Sequence, residues 1–188
     1  MQEQYQEQAF QRLFAPLDNQ IWELLQIISP LGKQQIDVVP FPGSWTAAQT
    51  TRHIIKSNAS IARALSLPGE HTAREPDQRV QELKELFLDF TTKFQSAPFI
   101  APTKDHYEKE RLIADLIRST ETLKDASRQT DLGEAIHHPA FGEITKLELI
   151  YFVRFHTQRH VRQVKNIAAA VLAIPIAGSF LQPPVFPK

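Results

Sequence analysis

The sequence has no cysteine among its 188 residues. Disulfide bonds, thiolate nucleophiles and cysteine-ligated zinc sites are therefore excluded, and any bound metal must take nitrogen or oxygen ligands. The sequence also has no excess of charge, because 21 Lys and Arg residues balance 21 Asp and Glu residues. A chain without net charge has no overall attraction to nucleic acid or to an anionic membrane, so we expect neither as a partner.

Long apolar runs are absent as well, and none approaches the roughly 20 residues that a membrane-spanning helix needs. The polar stretch at residues 1–8 has no apolar core of the kind found in secretory signal peptides. These absences predict a protein of the cytoplasm. The length and the hydrophobic share of 42% suit one globular domain, which we place at residues 1–173 and follow with a proline-rich, extended tail at 174–188.

Strand-like alternation is nearly absent, and apolar residues recur instead at the three-and-four spacing of helices. Gly133, Pro139 and Gly142 predict a loop before the last helix. Thr145 and Glu148 form a capping-box pattern at its start, and Ser44 is expected to cap an earlier helix. The predicted helices cover residues 10–30, 45–65, about 77–96, 105–128 and 145–173.

Two histidines stand four residues apart in the last predicted helix, at positions 156 and 160. This spacing places both imidazoles in a stripe where a helical bundle normally has aliphatic side chains. Neighbouring buried imidazoles can satisfy their nitrogens by sharing a divalent cation, and the spacing suits zinc or nickel. Taken alone, the pair also fits structural histidines that are hydrogen-bonded to the backbone or to neighbours.

Two longer motifs carry a family resemblance. Residues 45–54, WTAAQTTRHI, fit the pattern W-[ST]-x-x-Q-x-x-x-H-[IL]. Residues 138–145, HPAFGEIT, fit the entry HPxFGxxT into a final helix, and His156, His160 and Gln163 complete its HxxxHxxQ ending. With both motifs in this order, the sequence resembles the DinB and YfiT superfamily.

The resemblance implies an all-α fold, a four-helix bundle of up-up-down-down type, to which the helix at about 77–96 is an addition. It also implies a homodimer and a divalent metal ion, zinc or nickel, held by three histidines. Carried over by position, these ligands are His53, His156 and His160. Periodicity alone would not select His53, because it lies at the edge of the apolar face of its helix.

Three imidazoles leave one coordination position open, as in catalytic rather than structural zinc sites. Such a metal can activate water or a thiolate, and the resemblance points to a hydrolase or a thiol (S-)transferase that acts on a small molecule. Thr157 stands where zincin proteases place a glutamate, which disfavours that class of protease. The alternative is a non-catalytic, dimeric helical bundle whose metal site is structural or vestigial.

Four further residues are candidates for the surroundings of this site. Gln49 and Gln163 can orient a ligand or a bound water, or can simply be polar residues beside a bundle seam. Arg159 can meet an anionic substrate or be a solvated surface residue, and Trp45 is a packing anchor or a pocket wall. The other histidines are expected to lie outside the site: His71, His106, His137 and His138.

Overall fold

The computed structural model describes residues 1–173, so the tail predicted at 174–188 lies outside the described residues. Helix α2 packs against α4 and α5, while α1 and α3 pack against α5. The α1–α2 connection contains a 3₁₀ turn at Gln35–Asp37. The helices are α1 (Gln2–Ile28), α2 (Ala47–Leu65), α3 (Val80–Leu88), α4 (Lys109–Arg128) and α5 (Lys146–Ala173).

The all-α fold class predicted from the resemblance is confirmed, and α3 is the additional helix. Its predicted extent of 77–96 is wrong, because the helix has 9 residues and ends at Leu88. The Asp89 carboxylate accepts hydrogen bonds from the Thr91 backbone N–H and from the hydroxyls of Thr91 and Thr92. An aspartate bonded in this way to the residues that follow it favours a turn over a further helical turn.

A small antiparallel sheet replaces the loop predicted before α5. Its strands are β1 (Glu70–His71), β2 (Glu134–His138) and β3 (Gly142–Thr145), and β2 lies in the middle. Gly142 closes the β2–β3 hairpin opposite His138, with a φ of +65° that glycine adopts without strain. The strands have two to five residues, too few to show a clear alternation of apolar and polar positions.

The predicted capping box of α5 is present. The Glu148 backbone N–H donates to Thr145 Oγ1 over 3.1 Å, and the Thr145 N–H donates to Glu148 Oε2 over 2.9 Å. The cap predicted for α2 at Ser44 is wrong, because Thr46 caps this helix through a reciprocal box with Gln49. The Ser44 hydroxyl donates instead to the Trp45 carbonyl.

The buried apolar side chains form one connected cluster to which all five helices contribute. Ile136 of β2 and Ile144 of β3 join the same cluster, so the sheet covers one part of the bundle core. Within residues 1–173, no helix has both the length and the hydropathy of a membrane span. The cytoplasmic location stays a prediction from the sequence.

Candidate metal centre

Helices α2 and α5 bring the three predicted ligands together. The Nε2 atom of His156 lies 3.0 Å from Nε2 of His53 and 3.1 Å from Nε2 of His160. The candidate ligand atoms of the three residues all lie within 4.8 Å of one another. His156 and His160 stand one helical turn apart on α5, and His53 reaches them from α2 across the bundle core.

The three imidazoles lie in a poorly solvated environment. His53 and His156 are buried, with 3% and 6% of their surface exposed, and His160 is half-buried. Burial lowers the pKa of His53, holds the pKa of His156 well below its ordinary value and lowers that of His160 to about 3. The histidines are therefore neutral near pH 7, which is the protonation state that a metal ligand needs.

Hydrogen bonds fix the tautomer of two of the three rings. His53 donates from Nδ1 to the Ile100 carbonyl over 3.1 Å, and His160 donates from Nδ1 to Gln163 Oε1 over 2.8 Å. Because these oxygens can only accept, the proton of each neutral ring lies on Nδ1. The Nε2 lone pairs of both rings then point towards His156.

These hydrogen bonds leave the His156 imidazole without good hydrogen-bond partners in the protein. One N–H of His156 cannot bond well to two facing lone pairs, and within residues 1–173 its buried Nδ1 has no hydrogen-bond partner. Three converging nitrogen ligands satisfy a divalent cation. In a tetrahedral site with zinc–nitrogen bonds of about 2.0–2.1 Å, two ligand nitrogens lie about 3.3 Å apart. The nitrogen–nitrogen separations of 3.0 and 3.1 Å are close to this distance. The residues therefore fit zinc or a similar divalent ion.

Aromatic side chains surround the histidines. The Trp45 ring centroid lies 5.2 Å from that of His53, and the Phe152 centroid lies 5.2 Å from that of His156. Phe87 of α3 adds an edge contact to His156 at 6.2 Å. This apolar wall keeps water away from the imidazoles, which explains why burial is the largest cause of their lowered pKa values.

The four candidates for the surroundings divide into two pairs. Gln163 and Trp45 contact the histidines directly. The Gln49 amide accepts from the Thr46 N–H and donates to the Lys104 carbonyl, so both of its polar atoms are occupied by backbone groups. The Arg159 guanidinium also donates hydrogen bonds to backbone groups, the carbonyls around the end of α3.

Arg159 donates to the carbonyls of Phe87, Asp89 and Thr92, with 2.8 Å to Asp89. The structure thus ties the guanidinium to the chain that follows α3. The remaining histidines lie outside the three-histidine group, as expected: His71, His106, His137 and His138.

One contributor to the site has no signal in the sequence. The Ile100 carbonyl, 47 residues from His53 in sequence, is the acceptor that orients the His53 ring. Any type of residue can supply a backbone carbonyl, so no sequence motif indicates this acceptor. Only the path of the chain between α3 and α4 brings it to the site.

The sequence was compared with models of known protein families. The DinB superfamily model matches residues 17–164, a range that contains all three histidines. The chain belongs to the DinB superfamily. This DinB chain is 23% identical over 141 residues to the uncharacterized protein YuaE of Bacillus subtilis (strain 168), which covers 73% of this chain and 85% of YuaE.

A solved structure shows the same fold. The crystal structure of TT2238, a four-helix bundle protein, matches the DinB chain with a TM-score of 0.55 and 18% sequence identity. The match covers 84% of this chain and 98% of the TT2238 chain. At this level of identity the likeness shows the fold alone.

Proposed function

We propose that this DinB protein is a metal-dependent enzyme that acts on a small molecule, as a hydrolase or a thiol transferase. Zinc or nickel is the proposed ion, and His53, His156 and His160 are its ligands. The observation that supports this proposal best is the convergence of three imidazole Nε2 atoms in a buried site. Within residues 1–173, no carboxylate or further histidine joins this group, and three protein ligands are typical of catalytic zinc sites.

The residues of the site serve this role in distinct ways. When bound, a divalent ion supplies Lewis-acid activation of water or of a thiolate. The Ile100 carbonyl and the Gln163 amide oxygen hold His53 and His160 in the tautomer that presents Nε2. Burial keeps the imidazoles neutral, so protons compete weakly for the same lone pairs.

Within residues 1–173 no carboxylate joins the three histidines, which favours thiol transfer over hydrolysis. Thr157, which stands where zincins place their general base, is buried, and its hydroxyl has no hydrogen-bond partner within the described residues. Water holds its proton far more tightly than a thiol does, so it needs a base or strong activation by the metal. A thiol with a pKa of about 8.5 loses its proton far more readily, so a thiol substrate depends less on a protein base.

One observation favours the alternative, a non-catalytic dimeric bundle whose metal site is structural. The connection between α3 and α4 lies across the histidines and contacts His53 through Ile100 and Ser96. Two surface clefts, of about 490 and 410 Å³, lie elsewhere and are not lined by the three histidines. The two functions differ in whether a substrate reaches the metal.

Metal content is the first test of the site. Protein purified without chelator and analysed by plasma mass spectrometry is expected to carry about one equivalent of divalent metal per chain. His53→Ala, His156→Ala and His160→Ala each remove one ligand and should lose the metal. His71→Ala, at an exposed histidine of β1, is the matched control and should keep it.

Metal retained at full stoichiometry in all three ligand variants would show that it binds elsewhere. A wild-type protein that stays free of metal after reconstitution would remove the metal-centre proposal. If metal binds as expected, assays with low-molecular-weight thiols and chromogenic electrophiles should show turnover that is lost in His160→Ala. Metal binding without turnover in thiol-transfer and hydrolase assays would support the structural alternative.

A further inference from the structure

We propose that the connection between α3 and α4, residues 89–108, positions the metal centre, so that metal binding and the closed position of this segment stabilise each other. We call this segment the strap. The inference rests on the proposed metal site, but it assigns a role to a part of the chain that contributes no metal ligand. It also turns Arg159 from a substrate-binding candidate into a positioning residue.

Side chains from two bundle helices hold the strap by its backbone. Most strap side chains are exposed, including those of Phe90, Phe94 and Phe99, so core burial contributes little to its position. Each anchor donates a hydrogen bond to a strap carbonyl, which gives this irregular backbone the partners it lacks. The anchors are Gln49, His53 and Lys56 of α2 and Arg159 of α5.

The three anchors of α2 lie on one face of the helix, because they are spaced by four and three residues. Their donor–acceptor distances are 3.2 Å from Gln49 to Lys104, 3.1 Å from His53 to Ile100 and 2.5 Å from Lys56 to Ala101. His53 is the middle anchor, and it is also a predicted metal ligand. The donors on both sides of His53 along the helix therefore bind the strap just after Ile100 and help to hold its carbonyl at the imidazole.

His53 links the two events chemically. Metal ligation through Nε2 requires the tautomer with the proton on Nδ1, and the Ile100 carbonyl stabilises that tautomer by accepting this proton's hydrogen bond. If the strap moved away, Nδ1 would lose its acceptor and the ring would lose its fixed orientation. Because coupling between two binding equilibria is reciprocal, a metal that holds His53 in this tautomer also favours the closed strap.

Arg159 fixes the beginning of the strap. Its guanidinium donates to the carbonyls of Asp89 and Thr92 and lies 5.0 Å from the centroid of the Phe94 ring. Arg159 precedes the ligand His160 directly on α5, so the same helical turn carries a metal ligand and a strap anchor. The closed strap thus bridges α5 and α2 at the level of the three histidines.

Limited trypsin digestion of the full chain, with and without zinc, tests this coupling. The strap contains two exposed trypsin sites, Lys93 and Lys104, and the α1–α2 connection offers the exposed Lys33 as an internal control. We expect zinc to slow cleavage after Lys93 and Lys104 by about fivefold to tenfold. Cleavage after Lys33 should keep the same rate, which excludes inhibition of trypsin by the metal.

The reciprocal test measures zinc affinity by competition with a chromogenic chelator. Arg159→Lys keeps the positive charge near the site but loses the planar fork that bonds to several carbonyls. We expect its zinc affinity to fall about tenfold, the usual scale for the loss of a group that supports a ligand. Arg63→Lys, an exposed arginine on α2, is the matched control and should bind zinc as the wild type does.

The outcomes separate this inference from the proposed function. If zinc binds with about one equivalent but protects Lys93 no more than Lys33, the strap is not coupled to the metal and the metal centre stands. If elemental analysis finds no metal even after reconstitution, both proposals fail. Thermal unfolding of Arg159→Lys shows whether the variant is folded, and the wild-type digestion decides the question if it is not.

Discussion

Among single residues, Glu148 shows how hydrogen bonds stabilise a buried charge in this bundle. Its side chain is fully buried and accepts a bidentate pair of hydrogen bonds from Arg74 at 2.6 and 2.7 Å. The backbone N–H groups of Arg79 and Thr145 donate two more. Burial raises the pKa of Glu148, but these four hydrogen bonds lower it further, and the balance lies below its ordinary value of 4.5.

This lowered pKa predicts how stability depends on pH. The folded chain holds Glu148 ionised to a lower pH than the unfolded chain does, so its contribution is complete above pH 4.5 and is lost as the pH falls through the folded pKa. Glu148→Gln should cost about 2–4 kcal/mol near pH 7, because it breaks a buried ion pair. Urea unfolding of the metal-free protein near neutral pH and near pH 3 should show this cost shrinking in acid.

Glu143→Gln is the control for this measurement, since Glu143 lies 3.5 Å from the same arginine but is 65% exposed. An exposed pair contributes at most about 1 kcal/mol. An equal destabilisation by Glu148→Gln at both pH values would show that the loss comes from packing rather than from the charge.

The candidate site also shows which residues the sequence can reveal. His156 and His160 are visible by periodicity because they occupy a stripe of otherwise apolar residues. His53 is visible only through the motif of residues 45–54, although it is buried in the structure. The Ile100 carbonyl cannot be predicted, since its place depends on how a long irregular segment crosses the bundle.

Among the elements, some helix boundaries can be predicted from local hydrogen-bonding patterns, whereas apolar spacing predicts others wrongly. The capping box of α5 joins residues three positions apart, so its signature lies wholly within the sequence. The helical spacing of Phe90 and Phe94 suggests a longer α3, but both side chains are exposed in the strap. Apolar spacing alone therefore does not show which residues a helix buries, and a turn at Asp89 decides where α3 ends.

The capping box of α2 predicts that two hydroxyls near the start of this helix differ in their contribution to stability. Thr46 Oγ1 accepts from the Gln49 N–H over 3.0 Å, and Gln49 Oε1 accepts from the Thr46 N–H over 3.1 Å. Thr46→Ala removes the side-chain acceptor and should cost about 1–2 kcal/mol in the free energy of unfolding. Ser44→Ala, at the position that the sequence first suggested, should change it by less than about 0.5 kcal/mol.

Both variants are compared with the wild type by urea unfolding followed by far-ultraviolet circular dichroism. Each variant removes one hydroxyl near the same helix start, and Thr46→Ala also removes a buried methyl group. A cost for Ser44→Ala as large as that for Thr46→Ala would contradict the capping arrangement.

For the whole molecule, the resemblance implies a homodimer, and the surface of the bundle offers apolar side chains for contact. Trp22 of α1 is 65% exposed and Leu172 of α5 is 55% exposed. Helix α1 packs mainly against α5 and makes little contact with α4, so no other element within residues 1–173 covers part of its outer face. Large aromatic side chains are enriched at protein interfaces, which makes Trp22 the first residue to test.

We therefore expect sedimentation velocity to show a dimer that dissociates on dilution, and Trp22→Lys to shift this equilibrium towards the monomer. Phe99→Lys is the matched control, because Phe99 is 60% exposed but lies in the strap rather than on α1. A wild-type chain that remains monomeric over a wide range of concentration would rule out self-association. A dimer that survives Trp22→Lys but is lost in Phe99→Lys would move the interface from α1 to the strap, where it would cover the metal centre.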